Sequence, residues 1–199
     1  MTEIRFYHLE QRRIDQALPT LLELALEEGR RVLVRASSEE MVGALNERLW
    51  TYDDASFLPH GAADDGDPME QPIFLTSALE NPNAATMLVR LSGAETGEAD
   101  VAFDLVVLMF DGRDEMALAR ARGDWRKVKD QGRTISYWRE SDEGGWEQAR
   151  YARAALAATQ CPQSLKCLFL SLGNSQALWR RHPLDRLSRG PPPPFHGGG

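Results

Sequence analysis

The chain has 199 residues, of which 42% are hydrophobic and 27% charged, a composition typical of a globular protein that can bury a sizeable core. Its formal net charge of −7 argues against broad binding to duplex DNA, which requires an extended basic surface. The sequence contains no apolar run of membrane-spanning length, no signal-peptide pattern and only two cysteines, and we therefore expect a cytoplasmic protein without disulfides.

The first fifty residues alternate between strand and helix patterns. Residues 3–8 and 31–35 are short segments rich in apolar and β-branched side chains, which predicts strands. Apolar residues recur at helical spacing over residues 14–25 and again over residues 42–49, which predicts two helices. Strands that alternate with helices are typical of an α/β fold with a mostly parallel sheet.

A polar loop at residues 51–70 precedes the second half of this pattern. Three further strands are predicted at residues 72–77, 86–91 and 105–110. A helix is predicted from about residue 114 to residue 131, and Gly132 is expected to end it. Residues 134–138 alternate in polarity and are predicted to form the last strand of the sheet.

The charge balance changes sign at about residue 151. Residues 1–150 carry 17 Lys+Arg against 29 Asp+Glu, whereas residues 151–199 carry six basic residues and one acidic residue. The second segment also contains a proline run and a terminal run of glycines. We therefore predict a domain at 1–150 and a basic, poorly ordered C-terminal extension at 151–199, apart from a helix over residues 148–158.

The sequence lacks the motifs of the common α/β enzymes. It has no phosphate-binding P-loop, no G-x-G-x-x-G after the first strand and no G-x-S-x-G turn for a nucleophilic serine. Cys161 and Cys167 have no second pair, and the four histidines are scattered, which argues against a zinc site. We therefore expect no catalytic residue, no metal and no cofactor, and a binding protein is favoured.

A row of basic side chains is the strongest functional pattern in this acidic chain. Arg122, Arg126, Lys129 and Arg133 follow one another at steps of four, three and four residues, which places them on one face of the predicted helix. We call them the basic stripe. A cationic strip on an acidic protein favours contact with an acidic partner. The alternative is a solvated helix face with local ion pairs.

A second candidate surface is the loop that follows Trp50. Phe57 and Leu58 are large apolar residues within an otherwise polar, acidic segment, a pattern typical of a docking patch. The alternative is that Trp50 and Phe57 pack into the core.

Seven short segments of the sequence carry a resemblance to a known family: 6–7 (FY), 31–34 (RVLV), 49–53 (LWTYD), 56–60 (SFLPH), 72–75 (PIFL), 80–83 (ENPN) and 137–138 (YW). On these segments the chain resembles the chi subunit of bacterial DNA polymerase III holoenzyme over roughly residues 1–150. The resemblance is most specific between residues 50 and 60.

The resemblance implies a Rossmann-like α/β fold and a non-enzymatic adaptor of the clamp loader complex. Such adaptors pair with the psi subunit and bind the acidic, Phe-terminated C-terminal tail of single-stranded DNA-binding protein, so that nucleic acid is contacted only indirectly. By this resemblance the psi surface comprises Trp50, Phe57, Leu58 and Pro59, and a helicase is an alternative partner for it. The tail-binding surface comprises Arg122, Arg126, Val128, Lys129, Gly132 and Ile135. Arg133 departs from the family pattern, in which an aromatic residue can occupy this position.

Two other hypotheses remain open from the sequence. One is a metal-dependent nuclease that uses Asp53, Asp54 and His60, although carboxylates in such a polar loop are more often simply solvated. The other is direct binding of single-stranded nucleic acid by the basic stripe. The sequence shows no aromatic platform of the kind on which such proteins stack bases.

Overall fold

The structure is a computed structural model that describes residues 2–140 and 146–152, with side chains as far as residue 150. Within these residues eight strands form one sheet: β1 Glu3–Leu9, β2 Val32–Arg35, β3 His60–Gly61, β4 Ile73–Thr76, β5 Met87–Leu91, β6 Leu105–Asp111, β7 Thr134–Glu140 and β8 Trp146–Ala152. The α-helices of this part of the chain are α1 Ile14–Glu27, α2 Glu39–Trp50 and α3 Glu115–Asp130. Two short 3-10 helices lie at Pro68–Glu70 and Glu98–Ala102.

The strand order is β3-β4-β2-β5-β6-β1-β7-β8. Every neighbouring pair is parallel except β7 and β8, which are antiparallel. This confirms the predicted α/β fold with a mostly parallel sheet. Strands β1 and β6 are neighbours in the middle of the sheet. From β1 the chain continues to β2, on the far side of β6, and from β6 it continues to β7, on the far side of β1, so that the strand order changes direction between these two strands.

The sheet separates two apolar layers. Alternate residues of each strand face opposite sides, so that Tyr7 packs in the layer of α1 and α2 while Phe6 packs in the layer of α3. The central strands are buried on both faces, which explains the uninterrupted apolar run of β6. Among the α-helices of the described residues, α3 is the one whose side chains pack in the second layer.

The C-terminal strand was not expected from the sequence. The prediction that residues 134–138 form the last strand is wrong, because β8 pairs with β7 along Trp146–Ala152. The helix predicted over residues 148–158 is likewise wrong as far as residue 152. Local composition favours a helix there, but the open edge of β7 and a buried place for Trp146 decide in favour of a strand. Residues 153–199, which hold nearly all of the predicted extension, lie outside the described residues.

Glu140, the last residue of β7, joins this hairpin to the loop that follows β1. Its Oε2 accepts hydrogen bonds from the backbone N–H groups of Glu10, Gln11 and Arg12 at 2.8, 2.6 and 3.1 Å. Its Oε1 accepts a 2.6 Å bond from the Arg12 guanidinium, which lies 5.3 Å from the centre of the Trp146 ring. Burial by itself raises the pKa of Glu140, but these hydrogen bonds outweigh it and hold the pKa below its ordinary value.

We expect Glu140→Gln to lower the free energy of unfolding by about 1.5–3 kcal/mol at pH 7, because charge-assisted bonds to one buried oxygen are lost. A carboxyl group whose pKa is depressed on folding contributes stability above its unfolded pKa, about 4.3, and loses it as the pH falls through the folded value. Urea unfolding at pH 7 and pH 3 should therefore show a difference between the two proteins that shrinks in acid. An equal difference at both pH values would contradict this account.

None of the helices in the described part of the chain has the length and apolarity that crossing a lipid bilayer requires.

Candidate functional site

The loop after α2 carries an exposed pair of aromatic rings, which we call the aromatic patch. Trp50 is 56% exposed and Phe57 is 74% exposed, and their ring centroids are 6.3 Å apart. The alternative that both rings pack into the core therefore does not hold. Large apolar side chains left in water at this level are typical of protein contact surfaces.

Buried polar contacts hold the loop beneath the patch in place. The Trp50 ring lies 4.7 Å from the His60 ring, centroid to centroid, and His60 is itself almost fully buried. His60 Nδ1 lies 2.7 Å from the Leu58 carbonyl oxygen and Nε2 lies 3.3 Å from that of Asn46. Glu23 of α1 accepts hydrogen bonds from the hydroxyl groups of Tyr52 and Ser56. These contacts join the loop that carries the two rings to α1 and α2.

The other two residues of this predicted surface lie lower in the loop. Leu58 is only 3% exposed and packs in the core with α1 and α2, so that its side chain anchors the loop and does not face a partner. Pro59 is half-buried between Leu58 and His60. The accessible apolar surface is therefore that of Trp50 and Phe57.

The residues of the nuclease hypothesis do not form a metal site. Asp53 and Asp54 are exposed, and Asp53 Oδ1 accepts a 2.8 Å bond from the backbone N–H of Ala55. His60 is buried and both of its ring nitrogens face carbonyl oxygens. Among the residues described, no three His, Cys, Asp or Glu side chains come together as a metal ion would require. The geometry therefore gives this hypothesis no support.

Helix α3 presents three residues of the basic stripe, Arg122, Arg126 and Lys129, to solvent. The prediction that Arg133 shares their helix face is wrong, because the helix ends at Asp130 and Arg133, after Gly132, is half-buried. Asp114 caps its first turn by accepting a 2.8 Å bond from the Met116 N–H, and Gly132 follows its last residues with φ of +67°, a left-handed conformation that favours glycine. Arg122, Arg126 and Lys129 are exposed. Within residues 2–140 and 146–152, no carboxylate forms an ion pair with these three side chains, which leaves their charges available.

A cleft of about 590 Å³ separates α3 from the β7–β8 hairpin, and we call it the α3 cleft. It is lined by Phe6, His8, Glu10, Phe110, Leu118, Ala121, Arg122, Trp125, Arg126, Tyr137, Arg139, Ala149 and Arg150. Its floor is aromatic: the Trp125 ring meets Phe6 edge-on at 5.2 Å and Tyr137 edge-on at 6.0 Å, centroid to centroid. Such a floor offers an apolar seat to an inserted ring.

The charges around the α3 cleft are mostly positive. Four arginines line it, with Glu10 as the one carboxylate among the lining residues. Burial raises the pKa of Tyr137 and so does Glu10, whereas Arg150, Arg122 and Arg139 act in the opposite direction. Burial lowers the pKa of His8, whose Nδ1 lies 2.7 Å from the Tyr137 hydroxyl oxygen. Both directions favour the uncharged form of the side chain, and the arginines therefore contribute most of the positive charge of the cleft.

The structure brings together only part of the predicted tail-binding surface. Arg122 and Arg126 line the α3 cleft, while Lys129 and Gly132 are exposed but lie outside its lining. Val128 is half-buried and Ile135 is fully buried, both in the layer beneath α3, where they support the helix and do not form an open apolar wall.

Sequence reasoning missed the floor and the far side of the cleft. Helical spacing from Leu118 and Ala121 predicts Trp125 on the apolar face of the helix, whereas its ring is only half-buried in the structure. Phe110 ends an apolar run that reads as core throughout. Arg139 and Arg150 belong to a hairpin that the sequence patterns did not reveal.

Comparison with known proteins places the chain in a family. The sequence model described as DNA polymerase III chi subunit, HolC, matches residues 1–136. The chain belongs to the DNA polymerase III chi subunit family. A relative described as "Probable DNA polymerase III subunit chi", from Rickettsia prowazekii (strain Madrid E), is 33% identical over 92 residues. That alignment covers 46% of this chain and 56% of the relative, so that the chain matches little more than half of the relative's length. The resemblance seen in the sequence is thereby confirmed at the level of the family.

Proposed function

We propose that this chi-family chain is a non-catalytic accessory subunit in DNA replication, and that it links the clamp loader of DNA polymerase III to single-stranded DNA-binding protein. Family membership supports the association with the polymerase. The observation that supports the link is the α3 cleft, where arginines surround an aromatic floor.

The chemistry of the α3 cleft fits an acidic peptide that ends in phenylalanine. The terminal ring packs edge-on or offset against Trp125 and Tyr137. The terminal carboxylate and neighbouring acidic side chains pair with Arg122 and Arg126, whose guanidinium groups bind carboxylates in a planar, two-bond geometry. Peptide capture of this kind combines a hydrophobic notch with basic groups.

The expected affinity is modest. Exposed ion pairs contribute only about 0.2–1 kcal/mol each, so that a single tail should bind with a dissociation constant near micromolar, about 8 kcal/mol. Several tails on one oligomeric partner raise the effective affinity without any new contact. Binding should weaken as the salt concentration rises, because the pairs are solvent-exposed.

We expect Arg122→Ala and Arg126→Ala each to weaken binding of a fluorescent tail peptide roughly 5- to 10-fold, because each removes a charge-assisted bond. Lys129→Ala provides a matched control on the same helix, since it removes the same charge outside the cleft lining, and it should change the affinity less than about 2-fold. Fluorescence anisotropy titration at low salt measures all four proteins. Removing the final Phe from the peptide should abolish binding.

The control separates the cleft from the stripe as a whole. An equal loss with Lys129→Ala and Arg126→Ala would show that the basic stripe attracts acidic peptides without the aromatic notch. No binding of the tail at low salt would refute the proposed link to single-stranded DNA-binding protein.

The aromatic patch supports a second contact in the same assembly. We infer that Trp50 and Phe57 bind the psi subunit, or a helicase that uses the same surface. The two surfaces lie on opposite layers of the sheet, since the loop after α2 packs with α1 and the α3 cleft lies on the other face. Both partners are therefore bound at once in the proposed adaptor.

Direct binding of single-stranded nucleic acid is the competing function for the basic stripe. The α3 cleft contains aromatic side chains, but Phe6 and Phe110 are buried and Trp125 is half-buried in its floor, which leaves no row of open rings on which successive bases stack. Micromolar binding of a single-stranded oligonucleotide in the absence of single-stranded DNA-binding protein would favour this alternative.

A further inference from the structure

The β8 strand contains an irregularity that changes which way its residues face. Tyr137 pairs with Arg150 while Trp138 pairs with Gln148, so that Ala149 is an extra residue opposite this step of β7. Trp146 and Trp138 belong to the layer of α1 and α2. With strict alternation from Trp146, Arg150 would face that same layer. The bulge instead turns Arg150 to the face of Tyr137, and both Ala149 and Arg150 line the α3 cleft.

The bulge gives the α3 cleft a second cationic side. The first side is formed by Arg122 and Arg126 on the helix, and the second by Arg139 and Arg150 on the hairpin. Arg139 lies opposite Glu147 and their side chains are 3.6 Å apart, whereas Arg150 is exposed and has no ion-pair partner among the residues described. Arg150 is therefore the available charge of this second side.

The second side lies outside the part of the chain that the family model covers. The match ends at residue 136, before Tyr137, Arg139 and the whole of β8. The helix side and most of the aromatic floor lie within the match. The family match therefore does not extend to the hairpin side.

We propose that Arg150, with Arg139 beside it, binds a second carboxylate of the acidic peptide and makes this protein selective for tails that carry acidic groups on both sides of the bound ring. This inference rests on the proposed function, because the ligand is the same Phe-terminated tail. The helix side binds one anionic group of that tail, the aromatic floor binds the ring, and the hairpin side binds an acidic side chain that lies across the cleft.

The physical basis is the geometry of opposed charges. A peptide that crosses a cleft with guanidinium groups on one side alone leaves its remaining carboxylates in water. With cations on both sides, two carboxylates are paired while the ring between them is buried, and each pair forms next to low-dielectric aromatic surface, where charge attraction is stronger than in open water. The second pair therefore raises affinity and adds a requirement for the position of the acid.

A double-mutant cycle between protein and peptide tests this inference. The protein variants are Arg150→Gln, Arg126→Ala and Arg48→Gln, the last being a matched charge control on α2 in the opposite layer. The peptides are the Phe-terminated tail and versions in which each acidic residue is replaced in turn by its amide. Anisotropy titrations give the affinity of each pair, and thermal unfolding of each variant checks that it is folded.

We expect Arg150→Gln to weaken binding of the unmodified tail roughly 3- to 10-fold, and Arg48→Gln to leave it within about 2-fold. One of the amide peptides should bind the wild-type protein more weakly than the unmodified tail does. For that peptide, Arg150→Gln should cause no further loss of affinity, whereas Arg126→Ala should still weaken binding. Additive losses for every acidic position would overturn the pairing with Arg150.

The outcomes distinguish the two proposals. If Arg126→Ala weakens binding and Arg150→Gln does not, the proposed binding of the tail is supported and the proposed role of Arg150 is refuted. If the wild-type protein binds no form of the tail, the proposed function falls and the inference falls with it.

Discussion

Replacing Arg35 by methionine is expected to lower the free energy of unfolding by about 3–5 kcal/mol, the cost of removing one partner from a buried ion pair. The Arg35 side chain has no exposed surface at the end of β2. Its guanidinium donates a 2.6 Å bond to Asp100 Oδ1 and further bonds to the carbonyl oxygens of Ala78, Leu79 and Glu95. Methionine fills much of the same volume but leaves the Asp100 carboxylate and these carbonyl groups without this donor.

Arg90 does not fully compensate for this loss. Its guanidinium lies 3.8 Å from Asp100 Oδ2, a longer contact, and it is also hydrogen-bonded to Thr96 and Asp124. Urea unfolding measures the effect. Arg13→Met is the matched control, since its side chain is 73% exposed and the change should cost less than about 0.5 kcal/mol. Adding Asp100→Asn to Arg35→Met should recover part of the stability, and a loss below about 1 kcal/mol for the single variant would contradict the network's structural role.

The second large effect is expected at the aromatic patch. Trp50→Ala should weaken binding of the psi subunit by about 2–4 kcal/mol, roughly 30- to 1000-fold. The reason is that a few residues, often tryptophan, contribute most of the binding free energy of a protein interface. Phe57→Ala should have a similar but smaller effect, because its ring is smaller and extends from a loop. Stability should change by less than about 1 kcal/mol in both variants, since both rings are mostly in water.

Isothermal titration calorimetry with purified psi subunit measures this effect, and a replication-associated helicase is titrated in parallel as the alternative partner. Met116→Ala is the matched control, since Met116 is 66% exposed at the start of α3, away from the patch. Loss of binding in Trp50→Ala but not in Met116→Ala supports the proposed surface. Unchanged affinity for both partners in Trp50→Ala would exclude the patch as their binding site.

The sequence predicted the parallel part of the fold because each of its elements has a strong local pattern. Strand β6 is a continuous apolar run, and α3 has an apolar face with Gly132 at its end. Such patterns depend on neighbours within a few residues, and tertiary packing here agrees with them. In β8 the local pattern and the tertiary packing disagree. Its alanines favour a helix locally, whereas Trp146 is buried against Tyr7 as part of a strand.

The sequence predicted part of each candidate surface and left the other part open. The shared helix face of Arg122, Arg126 and Lys129 followed from spacing alone, because residues three and four apart lie on one side of a helix, whereas Arg133 lies past the end of α3. Whether Trp50 and Phe57 were buried or exposed was open in the sequence, since large apolar residues in a loop are compatible with either. The structure buries Leu58 and His60 and leaves the two outer rings exposed, and Leu58 packs in the layer that α1 and α2 form.

The amino-acid sequence alone was enough to predict the α/β class, the position of Arg122 and Arg126 on a helix and, through segments such as residues 49–60, membership of the chi family. That these arginines face a cleft follows from the packing of separate elements, because Tyr137 comes from β7, one turn after α3, and Arg150 comes from β8, which pairs with β7. A bulge of one residue sets the direction of Arg150, and strand pairing, which is a long-range property, places that bulge.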